Sequence, residues 1–424
     1  MPRHQSEVTS PAVRSLWSNT GFRWLWIGQA ISETGSRITR DGLPMAAVML
    51  LAATPFQMGV LTALSGAATL LFGMIAGVWV DRIHRRPVLI LADIGRALVI
   101  GTIPLAAHYG TLAMPQFYLV AAVAGVLTVL FDVAYQAYVP TLVHREQLLE
   151  ANSRLALTGS IAEVLGPGIT GLLVRILTAP VAILIDAVSF LASAISVALI
   201  RNPEPPPEPN PAPHFAEEIR DGWRAVIHHP VLRVLAFRAA TIGLCHGLIS
   251  PLYVIYAMRD LALGPLALGI AIAIGGVSNL TGALLAPYAA RRFGLGRTLF
   301  WSAVLYSIGV LLLALARPPF FFAMACLIGQ QLLGDGFYMI SQINETSLRQ
   351  SITPDRLLGR VSAVMQLLTR GIWPIGALIS GAVAGIIGTR TTLLIAALGL
   401  LASAAWMLAP SIRALKAHTL TRRQ

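Results

Sequence analysis

Long apolar stretches alternate with short polar stretches along almost the whole chain. Each apolar stretch holds about 20 residues, the length that an α-helix needs to cross the hydrocarbon core of a bilayer. A helix satisfies its own backbone hydrogen bonds in hydrocarbon, whereas barrel strands would show short alternating segments. The pattern therefore predicts an all-α integral membrane protein. Twelve transmembrane helices are predicted, at residues 24–52, 56–80, 87–108, 115–140, 155–178, 180–200, 234–257, 264–290, 298–316, 318–342, 361–387 and 390–410.

A polar break separates the spans into two groups of six. It opens with NPEPPPEPNPAP, which cannot be helical and indicates an extended spacer. Residues from about 214 to 229 alternate charged and apolar positions at helical spacing, which favours a solvated linker helix over one lying on the membrane surface. The predicted units are an N-terminal segment 1–23, a six-helix bundle 24–200, a linker 201–233, a second six-helix bundle 234–410 and a basic tail 411–424.

A short internal repeat relates the two groups of spans. REQLL at residues 145–149 matches PDRLL at 354–358, an offset of 209, and each follows the fourth span of its group. Asp81-Arg82 corresponds at the same offset to Ala290-Arg291. Two parallel six-helix repeats are therefore predicted, with a substrate site near the bilayer midplane between them.

The charge distribution changes how the net charge of +12 is interpreted. With the N-terminus in the cytoplasm, twenty-two basic residues fall in cytoplasmic segments, and the four outside are Arg175, Arg259, Arg317 and Arg390. This asymmetry follows the positive-inside rule, so both termini are predicted to be cytoplasmic. The basic balance reflects membrane topology, and nucleic acid is not an expected partner. Only 12% of the residues are charged and 56% are hydrophobic, which fits a bilayer as the solvent.

Charged residues cluster within the first span. Ionisable groups in hydrocarbon are costly unless they are paired or face water, so each is a candidate for function. Glu33, Arg37, Arg40 and Asp41 lie three or four residues apart and can form an ionic ladder on one helix face. Arg37 and Arg40 are cavity candidates, and Glu33 and Asp41 are candidates for proton coupling. The alternative is a ladder that only neutralises itself so that the helix can insert.

Two further carboxylates, Asp132 and Glu163, have no basic residue one helical turn away. A buried carboxylate without a nearby cation can bind and release a proton. Glu163 is the first choice for this role, and a hydrogen-bonded, neutral structural glutamate is the alternative. Asp93 and Arg96, three residues apart in the third span, are predicted to form a salt bridge with a conformational role.

The second group of spans holds fewer intramembrane charges. Asp335 and Arg370 are predicted partners across it, and both are cavity candidates. Glu345 is interpreted as a solvated charge at the cytoplasmic end of its span. Tyr135 is a further cavity candidate, because apolar and aromatic linings suit a hydrophobic substrate. Cys245 and Cys326 are far apart and suggest neither a disulfide nor a metal site.

The loop after the second span carries a distinctive motif, Gly77-Val-Trp-Val-Asp81-Arg82-Ile-His-Arg85-Arg86. It resembles the GxxxDRxxRR signature of major facilitator transporters in both spacing and position. Glycine permits close helix approach, the aspartate can pair with a helix end or an arginine, and the basic cluster can anchor to headgroups. A plain basic anchor loop is the alternative.

The fifth span carries Gly159, Gly166, Pro167 and Gly171, which resemble the glycine-proline signature of the family's antiporters. Small residues there permit tight packing, and proline bends the helix. The segments FRWLWIGQAIS, LADIGRA and FDVAYQAYVPTLVHREQLLEAN resemble the branch that contains bacterial drug and macrolide efflux proteins and the enterobactin exporter. One departure is Gly35-Ser36, where members of the branch often carry an acidic residue.

The resemblance implies a secondary active transporter: a monomeric, multi-pass protein of the bacterial inner (plasma) membrane that exports amphipathic small molecules, drugs or a siderophore, in exchange for protons. No cofactor and no metal is expected. The chain has no GxxxxGK[ST] motif, so a proton gradient is the expected energy source. The alternatives are a facilitator or importer of a metabolite or lysolipid, a multipass enzyme, and a receptor-like or scaffold protein.

Overall fold

The computed structural model describes residues 15–80, 82–204 and 215–413. These residues are helical almost throughout, and the described part of the chain contains no strand. Six long helices form the first half. They are α1 (Thr20–Leu51), α2 (Pro55–Val80), α3 (Arg85–His108), α4 (Met114–Leu142), α5 (Leu148–Leu177) and α6 (Ala179–Ala198).

The second half follows a linker helix, α7 (Phe215–His228). Two of its spans contain a π turn, at Tyr256–Asp260 and at Leu367–Gly371. Its helices are α8 (Pro230–Ile255), α9 (Pro265–Phe293), α10 (Leu295–Leu315), α11 (Phe320–Ile352), α12 (Asp355–Gln366), α13 (Trp373–Ile387), α14 (Thr389–Ala405) and the short α15 (Pro410–Arg413).

Eleven of the described helical segments are long and apolar enough to cross a membrane, with α12 and α13 counted as one. The first helix, α1, has 32 residues, but five of them are charged. It packs along α5 and α6 in the same way as the apolar helices pack. With α1 included, the prediction of an all-α membrane protein with twelve spans is confirmed.

The two halves share one packing scheme. In the first half α1 contacts α5 and α6, α2 contacts α4, and α3 contacts α4 and α6. In the second half α8 contacts α13 and α14, α9 contacts α11, and α10 contacts α11 and α14. Each helix of the second half makes the contacts that its counterpart makes in the first half, with α8 corresponding to α1 and α14 to α6. The two six-helix units are therefore parallel repeats.

The halves meet where α2 crosses α13 and where α5 crosses α9. At each crossing two glycines bring the backbones together. A Cβ on Gly59 would lie 3.1 Å from the Cα of Gly381, and one on Gly171 would lie 3.1 Å from the Cα of Gly269. We call these four glycines the seam, and the end of the bundle where they lie the seam end.

The seam glycines are related by an offset of 210, whereas the predicted loop match has an offset of 209. For the pair Gly171 and Gly381, the extra residue lies in the π turn at Leu367–Gly371, between the loop match and Gly381, because a π turn accommodates one more residue within a helix. The repeat was therefore predicted correctly, but its register differs between the loops and the helix crossings.

At the opposite end of the bundle, where α1 begins, the halves are apart. Asn152, Arg154, Ala156 and Leu157 in the first turns of α5 are all exposed. A Cβ on Gly159 would meet no atom within 4 Å. We call this the open end, because a cleft leads from it toward the middle of the protein.

The linker helix α7 packs against α12, with Val226 buried in a cluster of apolar residues of the second half. Asp221 Oδ2 accepts a hydrogen bond from Arg360 Nη1 at 2.7 Å. A Cβ on Gly222 would lie 2.6 Å from the carbonyl oxygen of Arg360. A helix therefore forms where the amphipathic pattern predicted one, and its apolar face packs against α12.

Candidate functional site

The cleft contains two adjoining cavities, each of about 260 Å³. Gln29 and Glu33 of α1 line both of them. The first cavity is otherwise lined by Ser32, Ser36, Arg37, Arg40, Arg96, Thr128, Phe131 and Asp132. The second is otherwise lined by Tyr135, Leu155, Ala156, Thr158 and Gly159. The predicted cavity residues of the first half therefore do lie together.

Arg37 is the central cation of this cleft. Its Nη2 lies 3.3 Å from Glu33 Oε1 on the same helix, and its Nη1 lies 3.8 Å from Glu163 Oε1 on α5. Its aliphatic stem packs on α5 because Gly166 has no side chain: a Cβ there would lie 2.6 Å from the Cβ of Arg37. One guanidinium is thus shared by two carboxylates on two helices.

The environment of Glu163 differs from the predicted one. Its side chain is 53% exposed and has a cation 3.8 Å away, so it is neither buried nor isolated from positive charge. The sequence argument failed because it searched one helical turn, and the cation comes from another helix. The predicted ladder is also shorter, since Arg37 pairs with Glu33 but not with Asp41, and Arg40 is exposed in the cavity.

Asp93 and Arg96 form the predicted salt bridge, and both are fully buried. The guanidinium of Arg96 lies between two rings, 4.3 Å from the centroid of Phe131 and 4.2 Å from that of Phe190. Cation–π contacts of this kind fix the position of the guanidinium. Asp132 is one residue from Phe131 and is exposed at the cavity wall.

Asp186 is a buried carboxylate whose place in the fold was not predicted. It lies on α6, is 0% exposed and accepts a hydrogen bond from Ser189 Oγ at 3.1 Å. A Cβ on Gly35 would lie 2.6 Å from its Oδ1, so Gly35 is what allows α6 to approach α1 here. The sequence did contain a signal for this contact, because Gly35-Ser36 stands where members of the branch often carry an acidic residue.

The loop motif is held by a residue that sequence reasoning missed. Glu204, just after α6, accepts hydrogen bonds from the backbone N–H groups of Arg85 (2.6 Å) and Arg86 (3.2 Å), and so caps α3. It also lies 3.6 Å from the Arg85 guanidinium. In return, Arg86 Nη2 donates to the carbonyl of Ala198 at the end of α6, at 2.6 Å.

His84, the N-cap residue of α3, also lies beside Glu204, with its Nδ1 3.8 Å from Oε2 of that carboxylate. Arg82 is exposed. Gly77 lies near the end of α2, and Asp81 lies outside the described residues.

Three of the four residues of the predicted packing motif pack as expected. Gly166 contacts Arg37, Gly171 contacts α9, and the carbonyl of Pro167 contacts the face of Gly269. Gly159 differs, because it borders the second cavity and touches nothing within 4 Å on its Cβ side.

The second half pairs its charges differently from the prediction. Asp335 and Arg370 are not within 4.0 Å of each other: Arg370 lies exposed on the π turn, and Asp335 packs on Gly275 of α9. Glu345, interpreted as a solvated charge, pairs with Arg238, which is 1% exposed. Both corrections concern contacts between α8, α9 and α11, which sequence spacing does not reveal.

An aromatic group lies beside these charges. His246 hydrogen bonds to the hydroxyl of Tyr306, and its ring centroid lies 5.2 Å from that of Tyr338. Tyr306 is buried within the second half, whereas the residues that line both cavities come from α1, α3, α4 and α5 of the first half and combine charged groups with Phe131, Tyr135 and Leu155. Such a surface can bind molecules that combine apolar and polar groups.

Residues 25–377 match the family model described as Major Facilitator Superfamily. Macrolide efflux protein A of Streptococcus pyogenes is 26% identical over 386 residues, which cover 87% of this chain and 90% of that protein. Enterobactin exporter EntS of Shigella flexneri is 26% identical over 350 residues, covering 82% and 81%. A crystal structure of the nucleoside transporter NupG has the same fold, with a TM-score of 0.73 at 14% identity over 92% of this chain and 98% of that one. These relatives confirm the efflux branch indicated by the motifs, and the chain belongs to the Major Facilitator Superfamily as a multi-pass membrane transporter, not an enzyme.

Proposed function

We propose that this protein exports amphipathic small molecules, drugs or a siderophore, across the bacterial inner membrane in exchange for protons, by alternating access. The open end, where α1 begins, faces the cytoplasm in this proposal, as the distribution of basic residues favours. The cleft then receives cargo from the cytoplasm while the seam closes the outer side. Export is supported by the relatives, which are a macrolide efflux protein and an enterobactin exporter.

The observation that carries proton coupling is the shared guanidinium of Arg37. Glu33 and Glu163 both lie within 4.0 Å of it, and neither has a second basic partner among the described residues. When Glu163 takes up a proton, it loses its charge and its electrostatic attraction for Arg37, and the guanidinium then pairs with Glu33 alone. Protonation of one side chain thus changes a contact between α1 and α5.

This contact can act on the interface between the halves because Glu163 lies beside it. A Cβ on Gly276 of α9 would lie 2.8 Å from the Cα of Val164 and 3.3 Å from the carbonyl oxygen of Glu163. Two turns further along α5, Gly171 forms part of the seam. Glu163 therefore lies at the point on α5 between the cleft and the contact with α9, and a proton bound there can affect both.

The test is proton movement in proteoliposomes when a macrolide or the dye ethidium is added, with the unmodified protein and with Glu163→Gln. Glu150→Gln is the matched control, because Glu150 is an exposed carboxylate of the same helix, 3.6 Å from Arg154. We expect cargo to drive proton release in the unmodified protein and the control but not in Glu163→Gln. Unchanged cargo transport without any proton flux would replace this proposal with a facilitator.

A further inference from the structure

Arg259 joins the two halves at the seam end. It lies on the π turn that follows α8, and its Nη2 donates a hydrogen bond to the carbonyl of Ala53, between α1 and α2, at 2.9 Å. Within the described ranges, no other hydrogen bond or ion pair joins one six-helix unit to the other. The seam therefore combines backbone contacts between glycines with one directional, charge-assisted bond.

The acceptor depends on this bond while the seam is closed. Ala53 is 0% exposed, and its carbonyl accepts no other hydrogen bond among the described residues. A buried backbone carbonyl needs a hydrogen-bond partner. If the halves separate here, water can solvate both the carbonyl and the guanidinium. The bond then favours the closed seam by only its modest net free energy, which permits reversal.

The backbone on both sides of this bond is in an unusual conformation. Three non-glycine residues in the described part of the chain have positive φ, and two of them lie here. Ala52, directly before the acceptor, has φ of 47°, and Ala262, three residues after Arg259, has φ of 53°. The left-handed region is unfavourable for alanine, and such strain is typical of segments that switch.

The donor belongs rigidly to the second half. Tyr256, the first residue of the π turn, is 2% exposed, and its hydroxyl donates to the carbonyl of Ala316 after α10 at 2.8 Å. Arg259 has no carboxylate within 4.0 Å among the described residues, and its side chain reaches the first half instead. A movement of the second half away from α1 must therefore break the bond to Ala53.

We infer that Arg259 is a positioning residue for transport: its bond to Ala53 keeps the seam closed while the cleft is open, and it breaks each time the halves separate at the seam end. This inference rests on the alternating access of the proposed function, and it names the residue that sets the balance between the two states. The seam glycines make close approach possible, and Arg259 makes it favourable.

The test is the distance between spin labels on Thr111 and Arg317, which lie in different halves and are both exposed at the seam end. It is measured on the full-length chain with the two buried cysteines, Cys245 and Cys326, replaced by alanine. Neither cargo nor a proton gradient is present. The distance distribution then reports how much of the protein has an open seam at equilibrium.

Three variants separate the proposed role from a general loss of hydrogen bonding. Arg259→Met keeps an apolar stem and removes the donors, whereas Arg259→Lys keeps the charge and a donor. Arg390→Met is the matched control, because Arg390 Nε donates to the carbonyl of Ala314, also at 2.9 Å and at the same end, but within the second half. Thermal melting checks that each variant is folded.

We expect a longer Thr111–Arg317 distance to become populated in Arg259→Met, with the equilibrium between closed and open seam shifted roughly tenfold. Arg259→Lys and Arg390→Met should keep the distances of the unmodified protein. An unchanged distance in Arg259→Met, the same change in Arg390→Met, or no recovery in Arg259→Lys would each overturn the inference.

Failure of this inference is distinct from failure of the proposed function, because proton movement in proteoliposomes is measured separately. Proton-coupled export together with an unchanged seam in Arg259→Met would leave the proposed function standing without this role for Arg259. A seam that opens in Arg259→Met without any proton flux would support the role of Arg259 in a facilitator.

Discussion

The backbone of Gly171 on α5 lies directly against that of Gly269 on α9, and the same contact recurs 210 residues away between Gly381 and Gly59. At the first crossing the face of Gly269 contacts the carbonyl of Pro167, and at the second the face of Gly59 contacts the carbonyl of Ala377. The same glycine–glycine contact therefore occurs at both helix crossings of the seam end. At both glycine pairs the contact is made by backbone atoms, and Arg259 of the second half adds a side-chain hydrogen bond to the carbonyl of Ala53 at the same end, at 2.9 Å.

The seam contact predicts a strong effect of a small substitution. Gly171→Ala places a methyl group 3.1 Å from the Cα of Gly269 and closer still to the carbonyl oxygen of Pro265, so the seam cannot close without moving backbone. Overpacking of this kind costs about 1–3 kcal/mol, and we expect transport to fall roughly tenfold. Gly385→Ala in α13 is the control, because this glycine is exposed, lines neither cavity, and its methyl group would meet nothing within 4 Å. Equal transport rates for the two variants would contradict the role of the seam.

The shared cation predicts a measurable coupling between Arg37 and Glu163. Removing Arg37 leaves two acidic residues near each other, so Arg37→Gln should lower the melting temperature more than the double variant Arg37→Gln/Glu163→Gln does. Because Glu163 is half exposed, we expect a coupling of only about 0.5–1 kcal/mol in a double-mutant cycle. Strictly additive effects on melting would show that the 3.8 Å contact carries no energy.

The buried pair Asp93–Arg96 predicts a larger effect on stability. Asp93→Asn removes the only carboxylate among the described residues within 4.0 Å of the Arg96 guanidinium, which is 3% exposed. Loss of one partner of a buried ion pair costs about 3–5 kcal/mol, which thermal melting of the purified protein would record. Arg82→Ala, at an exposed position, should change stability by less than about 0.5 kcal/mol. A near-wild-type melting temperature for Asp93→Asn would mean that the pair is not structural.

The cap provided by Glu204 predicts a local change at the loop motif. Glu204→Ala removes the acceptor of two backbone N–H groups at the start of α3, a loss of about 1 kcal/mol. Hydrogen exchange at the amides of Arg85 and Arg86 should become faster, while exchange in α5 is unchanged. If exchange at these two amides did not change, the cap would have to be provided by another group.

Much of the fold was predictable from the sequence, because membrane spans depend on local hydropathy over about 20 residues. The pair Asp93–Arg96 was predictable for the same reason, since its members are one helical turn apart. The pairs Arg37–Glu163 and Arg238–Glu345 were not, because each joins helices far apart in sequence. The cap by Glu204 was missed since its residue lies in a Pro-rich stretch that was interpreted only as a spacer.

Alternating access is tested most directly by distances measured at both ends of the same molecule. Spin labels on Thr111 and Arg317 report the seam end, and labels on Glu146 and Arg356 report the open end; all four positions are exposed. The native cysteines, Cys245 and Cys326, are buried and would be replaced by alanine. We predict that lowering the pH or adding ethidium lengthens the distance at one end and shortens it at the other. Two distances that stay constant, or that change in the same direction, would contradict a transporter whose halves rock about the cleft.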